Sequence, residues 1–238
     1  MLEKQFRMKI KKDIDSCKTC VYRNLLFGSL DDIEYNLVNS ARKELLISRG
    51  EIIKTENEEI TSFLYLRKGL VKLFKTDTMG KERILSINKP GDFISLLHIF
   101  SNKKYPYSIS ALEETLVCEV DISVLMHLIK TNGNFALSVV NRMGRIADEI
   151  IKIRFEQSRL QIKGRVASIV LFFADHVYRK KTFKLPITRR EIGELISMST
   201  ENTIRTFSEF KKDGIIKFEG KELTILDYDR LVNISKTG

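Results

Sequence analysis

The sequence predicts an α+β chain: an N-terminal antiparallel β jelly-roll, then a long helix, then a C-terminal winged helix-turn-helix. Three observations carry that prediction. Between residues 45 and 122, short runs rich in β-branched and aromatic residues are broken by Gly50, Gly69, Gly80 and the Pro90-Gly91 pair, the punctuation of a closed antiparallel sheet. From Ser123 to about Arg159 proline is absent, and beyond Gly133 the apolar positions recur in steps of three and four, the period of a helix. Residues 187–207, "ITRREIGELISMSTENTIRTF", then hold two short helical patterns around a small polar turn.

With 238 residues, two modest domains are expected. We place them at residues 1–132 and 161–238, with a connecting helix over 133–160. Apolar residues make up 43% of the chain and charged residues 30%, a composition that supports a packed core and excludes a disordered class. No apolar run reaches the roughly 18 residues a membrane span needs, and the start, "MLEKQFRMKIKKD", is charged without an apolar stretch. No membrane partner and a cytoplasmic location are therefore expected.

The strands are assigned to "RGEII", "SFLYLRKG", "LVKLFKTD", "ERILSINKPGDFI", "YSISALEE" and "TLVCEVDI". Along the long helix, Ala136, Val139, Met143, Ile146, Ile150 and Ile153 form a heptad seam, the spacing with which two helices pack side by side. A homodimer through Val139, Met143, Ile146, Ile150 and Ile153 follows. A second row, Val140, Ala147, Ile151 and Phe155, is left for the chain's own barrel.

The C-terminal third is strongly basic. Of the net charge of +10, the last 79 residues hold 15 Lys or Arg against 10 Asp or Glu, and residues 179–190, "RKKTFKLPITRR", contain six cations and no anion. Beside a helix-turn-helix such a run suits DNA phosphates, whose neutralisation releases counterions and gives sequence-independent affinity. Lys180, Lys181, Thr188, Arg189, Arg190 and Ser199 are the expected phosphate contacts. Thr188 and Glu191 have capping-box spacing, Ser199 can cap the second helix, Gly214 can end it, and "IIKFEGKELTI" reads as the wing hairpin. The start of a second helix of this motif enters the major groove of double-stranded DNA, where Arg can donate twice to guanine and Glu can accept from cytosine. Glu201 and Arg205 stand four apart at that end. The alternative use of the two is an i,i+4 ion pair, worth only about 0.2–0.5 kcal/mol.

The stretch "ITRREIGELISMSTENTIRTFSEFKKDGII", the following "GKELTI" and the upstream "PGDFISLLHIF" resemble the cyclic-AMP receptor protein and fumarate-nitrate reductase regulator (CRP/FNR) superfamily. The resemblance covers nearly the whole chain. It implies a cyclic nucleotide-binding-like sensor barrel, a dimer helix and a DNA-binding domain of a bacterial transcription regulator that engages RNA polymerase. By position, Glu201 and Arg205 match the family's readers of a G·C pair in each half of a palindrome. Thr200 replaces an arginine of one branch and Ile204 a serine of the other, so the outer bases should differ; Ile204 suits a thymine methyl.

The same alignment puts Leu96 where nucleotide-binding members carry the ribose-binding Glu, and Pro106-Tyr107 near their phosphate-binding Arg-Ser. Lys103 and Lys104 fall on an expected surface loop. Cyclic nucleotides are therefore not expected as the signal. An iron-sulfur branch of the family uses four cysteines, of which Cys17, Cys20 and Cys118 have counterparts; Leu25, Leu26 and Phe27 fill the region of the missing one. A cluster would need an oxygen ligand such as Asp31 or Asp32, and zinc could use the same three thiolates. No cofactor is the leading reading. For haem, nothing selects an axial ligand among His98, His127 and His176. No His-x-His pair, nucleophile triad or phosphate-binding glycine loop occurs, so a cupin-type or other enzyme is not expected.

Overall fold

The structure, a computed structural model, describes residues 9–10, 20 and 25–238. Strand β1 (Lys9–Ile10) and helix α1 (Asp32–Ser40) precede β2 (Arg42–Ile47), β3 (Ile52–Lys54), β4 (Ser62–Lys68), β5 (Val71–Thr76), β6 (Glu82–Asn88), β7 (Phe93–Ile94), β8 (Ser108–Ala111) and β9 (Thr115–Asp121). Helices α2 (Ile122–Thr131), α3 (Gly133–Arg159) and α4 (Ile162–Leu171) follow, with a π-helical continuation of α4 over Phe172–Tyr178. The last part holds β10 (Thr182–Lys184), α5 (Arg189–Leu195), α6 (Thr200–Lys212), β11 (Ile216–Glu219), β12 (Glu222–Ile225) and α7 (Tyr228–Thr237).

The chain divides into two compact units. One runs to Lys75 and resumes over Ser86–Glu149; the other takes Thr76–Leu85 and Ile150–Gly238. The barrel is made of a five-stranded sheet in the order β1-β2-β9-β4-β7 and a four-stranded sheet in the order β3-β8-β5-β6. Alternation along each strand divides the side chains between two cores. Leu64, Leu66 and Val117 turn inward with Ile47, Val71 and Ile109, while Phe63, Tyr65, Cys118 and Val120 turn toward the helices. Because β4 is covered on both faces, "SFLYLRK" reads as a continuous apolar run rather than an alternating one. Gly69, at φ +83° between β4 and β5, has no room for a Cβ, which would lie 2.5 Å from the Glu114 carbonyl oxygen.

On α3, Val139 is buried in the protomer's own helical core with Phe135, and the half-buried Met143 and Ile146 pack against that core. Val140, Ile151 and Phe155, assigned to the barrel, are more than 60% exposed. Both rows recur at about one helical turn, so each marks an apolar face of α3 and periodicity alone could not say which one packs within the chain. The choice was made by α1 and α2, whose Leu26-to-Leu128 cluster offers an apolar seat at the register of Phe135 and Val139. Ile150 and Ile153 of the first row are exposed.

A charged group sits within the barrel sheet. The Glu44 carboxylate is fully buried, 3.1 Å from Arg42 and in contact with Arg67. Removing only the anion takes a buried counter-charge from Arg42 and Arg67, and breaking a buried ion pair in this way typically costs about 3–5 kcal/mol. We expect Glu44→Leu to lower the unfolding free energy of this unit by that order, measured by urea denaturation; a loss below about 1 kcal/mol would mean that the cluster is solvated.

Candidate nucleic-acid interface

The second unit places the basic and base-reading candidates on one small scaffold. Helix α5 begins at Thr188, whose Oγ1 accepts from Glu191 N at 3.2 Å while the Glu191 carboxylate accepts from Thr188 N at 2.8 Å. This reciprocal cap fixes the first turn. Ile192 on α5 and Phe207 and Phe210 on α6 are buried, and the helices touch at Gly193, where an added Cβ would lie 2.9 Å from Thr203 Oγ1 and 3.0 Å from the Met198 carbonyl. The turn closes by a 2.7 Å bond from Met198 N to the Gly193 carbonyl, with Ser197 in the left-handed region. Ser199 then caps α6, its Oγ accepting from Asn202 N at 3.1 Å.

The result is an exposed N-terminal turn on α6. Thr203, Thr206, Phe207 and Phe210 point inward, so Thr200, Glu201, Ile204 and Arg205 are on the free face and exposed. Spacing of three and four residues puts these four together. Arg205 does not pair with Glu201. Its Nε lies 3.8 Å from Glu209 Oε1, and the other Glu209 oxygen accepts from Lys163 of α4 at 2.9 Å. That hydrogen bond and the two nearby cations hold the Glu209 carboxyl below its usual pKa.

The expected phosphate contacts have mixed settings. Lys180, Lys181, Thr188, Arg190 and Ser199 are exposed. Arg190 pairs with Glu194 at 3.1 Å, and Lys181 sits 5.2 Å above the Tyr228 ring. Arg189 is half-buried, its guanidinium 4.4 Å from the centre of the Phe218 ring and 5.7 Å from that of Phe207. It links the wing strand β11 to α6 by cation–π attraction. The wing is the β11–β12 hairpin, extended by β10 into a three-stranded sheet.

In the barrel, Leu96 is buried in the helical core, and Lys103 and Lys104 are exposed as expected. Tyr107 is buried and bonds through its hydroxyl to Ser95 Oγ at 3.2 Å and His98 Nδ1 at 3.1 Å. Burial lowers the pKa of His98 and raises that of Tyr107. His127 and His176 are exposed. The cysteine site is not assembled among the described residues. Cys118 is buried, 3.8 Å from Arg42 Nη1 and 4.0 Å from Glu44 Oε1, Cys20 is half-buried, and Cys17 lies outside the described residues. Asp31 is committed to capping α1 with Glu34, and among the described residues no three His, Cys, Asp or Glu side chains are grouped to hold a metal ion.

An exposed, capped helix start beside a basic run, in a chain that also carries an antiparallel barrel, defines a DNA-binding transcription regulator with a sensor-type domain. The family of cyclic nucleotide-binding domains matches residues 44–132, and that of Crp-like helix-turn-helix domains matches residues 164–234. Among similar proteins, the transcriptional activator protein anr of Pseudomonas aeruginosa is 26% identical over 91% of this chain and 88% of its own. The fumarate and nitrate reduction regulatory protein of Yersinia pestis is 24% identical over 94% of this chain and 89% of its own. The solved structure of FixK2 from Bradyrhizobium japonicum has the same fold, with a TM-score of 0.73 at 21% identity over 83% of this chain and 98% of its own. The chain belongs to the CRP/FNR family of transcription regulators, which are not enzymes. No described helix is long and apolar enough to cross a membrane.

Glu209 and Lys163 were absent from the sequence reading. An i,i+4 Arg-Glu spacing from Arg205 to Glu209 was available as a signal; the approach of Lys163, from another helix, was not. At the helix contact, Gly193→Ala forces a Cβ against a buried threonine and a carbonyl. Overpacking of this kind costs about 1–3 kcal/mol, so a calorimetric melt should show the C-terminal unit destabilised, and an unchanged melt would count against the tight α5–α6 contact.

Proposed function

We propose that the protein acts in the cytoplasm as a homodimer that reads an inverted-repeat DNA site and engages RNA polymerase there, under the control of its barrel. The observation that carries this is the solvent-facing quartet Thr200, Glu201, Ile204 and Arg205 on the capped first turns of α6. In this reading Arg205 donates to guanine and Glu201 accepts from cytosine of one G·C pair, Ile204 meets a thymine methyl, and Lys180, Lys181, Arg190, Thr188 and Ser199 contact phosphates. Arg189, seated on two rings, supports the wing and keeps its charge near the backbone. Two such helices in a dimer would stand about 34 Å apart to enter successive major grooves.

For the dimer we favour the row that the protomer leaves uncovered. Leu137, Val140, Ile151 and Phe155 are 59%, 62%, 66% and 67% exposed, and Gly144 and Ala147 continue their three-and-four spacing. An apolar stripe of that length in contact with water is otherwise a liability. Ile150 and Ile153 flank it. The signal is not a cyclic nucleotide in this reading, because Leu96 and Pro106-Tyr107 stand where a carboxylate for the ribose and a guanidinium for the phosphate would be needed. An iron-sulfur or other redox signal through Cys17, Cys20 and Cys118 is the second reading, supported by the stretch "LVCEV" and by Cys118 turning to the outer face of the sheet.

Two measurements test these points. Selection of bound duplexes from a random pool should return an inverted repeat with a G·C pair in each half, and Arg205→Ala should lose about 1–3 kcal/mol of preference at that pair; an unchanged preference defeats the base-reading role. In sedimentation, Val140→Glu combined with Ile151→Glu should yield monomers, and a dimer that persists would place the interface elsewhere.

A further inference from the structure

We infer that Glu209 is a positioning residue for base recognition: with Lys163 it aims Arg205, trading general DNA affinity for discrimination. This deepens, and rests on, the proposed base-reading role of Arg205. The geometry comes first. Glu209 is one turn beyond Arg205 on the same face of α6, with one carboxylate oxygen 3.8 Å from Arg205 Nε and the other 2.9 Å from Lys163 Nζ. Lys163 stands in the first turn of α4, a helix that packs against α6. The carboxylate is therefore held from one side by a group of another element and presents its second oxygen to the arginine.

The chemistry follows from the guanidinium's fork. Arginine has five N–H donors in a fixed plane. With Nε facing Glu209, the two terminal nitrogens remain for guanine O6 and N7, the bidentate pairing that discriminates. An arginine on an exposed helix otherwise samples many rotamers, and ordering it on binding weakens the complex. As a surface ion pair the arrangement contributes little to folding stability. Its consequence lies in direction rather than strength.

The charge has an opposite effect on affinity. A carboxylate on the DNA-facing helix repels phosphates, and Lys163 offsets it only in part. Removing the charge should consequently strengthen binding to any duplex while weakening the choice between duplexes. A residue that merely supports the fold would lower both.

The experiment uses the full chain and three duplexes: the site selected by the wild-type protein, the same site with the G·C pair changed to A·T, and a random duplex. We expect Glu209→Gln to reduce the ratio of affinities for the first two by about three- to tenfold while raising affinity for the random duplex about two- to threefold. Lys163→Gln should shift the ratio in the same direction, and Lys163→Arg should restore it. A ratio unchanged in Glu209→Gln, or equal losses on all three duplexes, overturns the inference. Arg205→Ala in the same assay separates the two levels. If it leaves the ratio intact, the base-reading assignment itself fails; if it abolishes the ratio while Glu209→Gln does not, only the positioning fails. Should Glu209→Gln melt below the assay temperature, the two Lys163 variants decide.

Discussion

The close contact of α5 with α6 at Gly193 is the constraint on which the DNA-facing surface depends. Only a residue without a Cβ lets the Met198 carbonyl and the Thr203 hydroxyl approach so near. That approach buries Thr203, Thr206 and Phe207 and leaves the opposite face of α6 to the solvent. Which residues are free to touch a base is thus decided by packing on the far side of the helix. The Ser199 cap adds to this by ending the turn at a fixed residue, so that Thr200 and Glu201 open the helix.

Much of this was legible in the sequence, because each step is local. Thr188 and Glu191 announce a capping box by spacing, Ser199 announces a cap, and the apolar positions 192, 203, 207 and 210 define the inward face without any knowledge of the rest of the fold. The barrel strands were legible for a similar reason, since glycine and proline mark their ends. What could not be read involves partners distant in sequence. Helix α3 has two apolar rows, and only the buried cluster that includes residues of α1 and α2 shows that Val139 goes inward and Val140 does not. Arg205 has acidic residues both four before and four after it, and the arrival of Lys163 from α4 favours the second.

The barrel was harder to read than the helix-turn-helix for an electrostatic reason. Glu44, buried between Arg42 and Arg67, looks in the sequence like an ordinary strand position facing water. Its burial depends on β9 and β4 bringing Cys118 and Tyr65 onto the same face. The cysteine is consequently set among charges rather than among other thiols: a guanidinium on one side and a carboxylate on the other. Among the described residues, no group of three His, Cys, Asp or Glu side chains forms around it that could hold a metal ion.

Net charge and acidic detail on α6 work against each other in an instructive way. A chain of net charge +10 is attracted to every duplex, since phosphate neutralisation does not depend on sequence. Affinity of that kind is of little use to a regulator unless something penalises the wrong site, because specificity is a difference of affinities. In the proposed reading, carboxylates on the recognition helix supply that difference. Glu201 would find a donor only where cytosine presents one, and elsewhere it would be an anion left facing phosphates. Glu209 would keep the guanidinium from settling on the nearest phosphate oxygen. On this argument the two acidic side chains of α6 are as much a part of recognition as its arginine, and the basic run before α5 is what makes their repulsion tolerable.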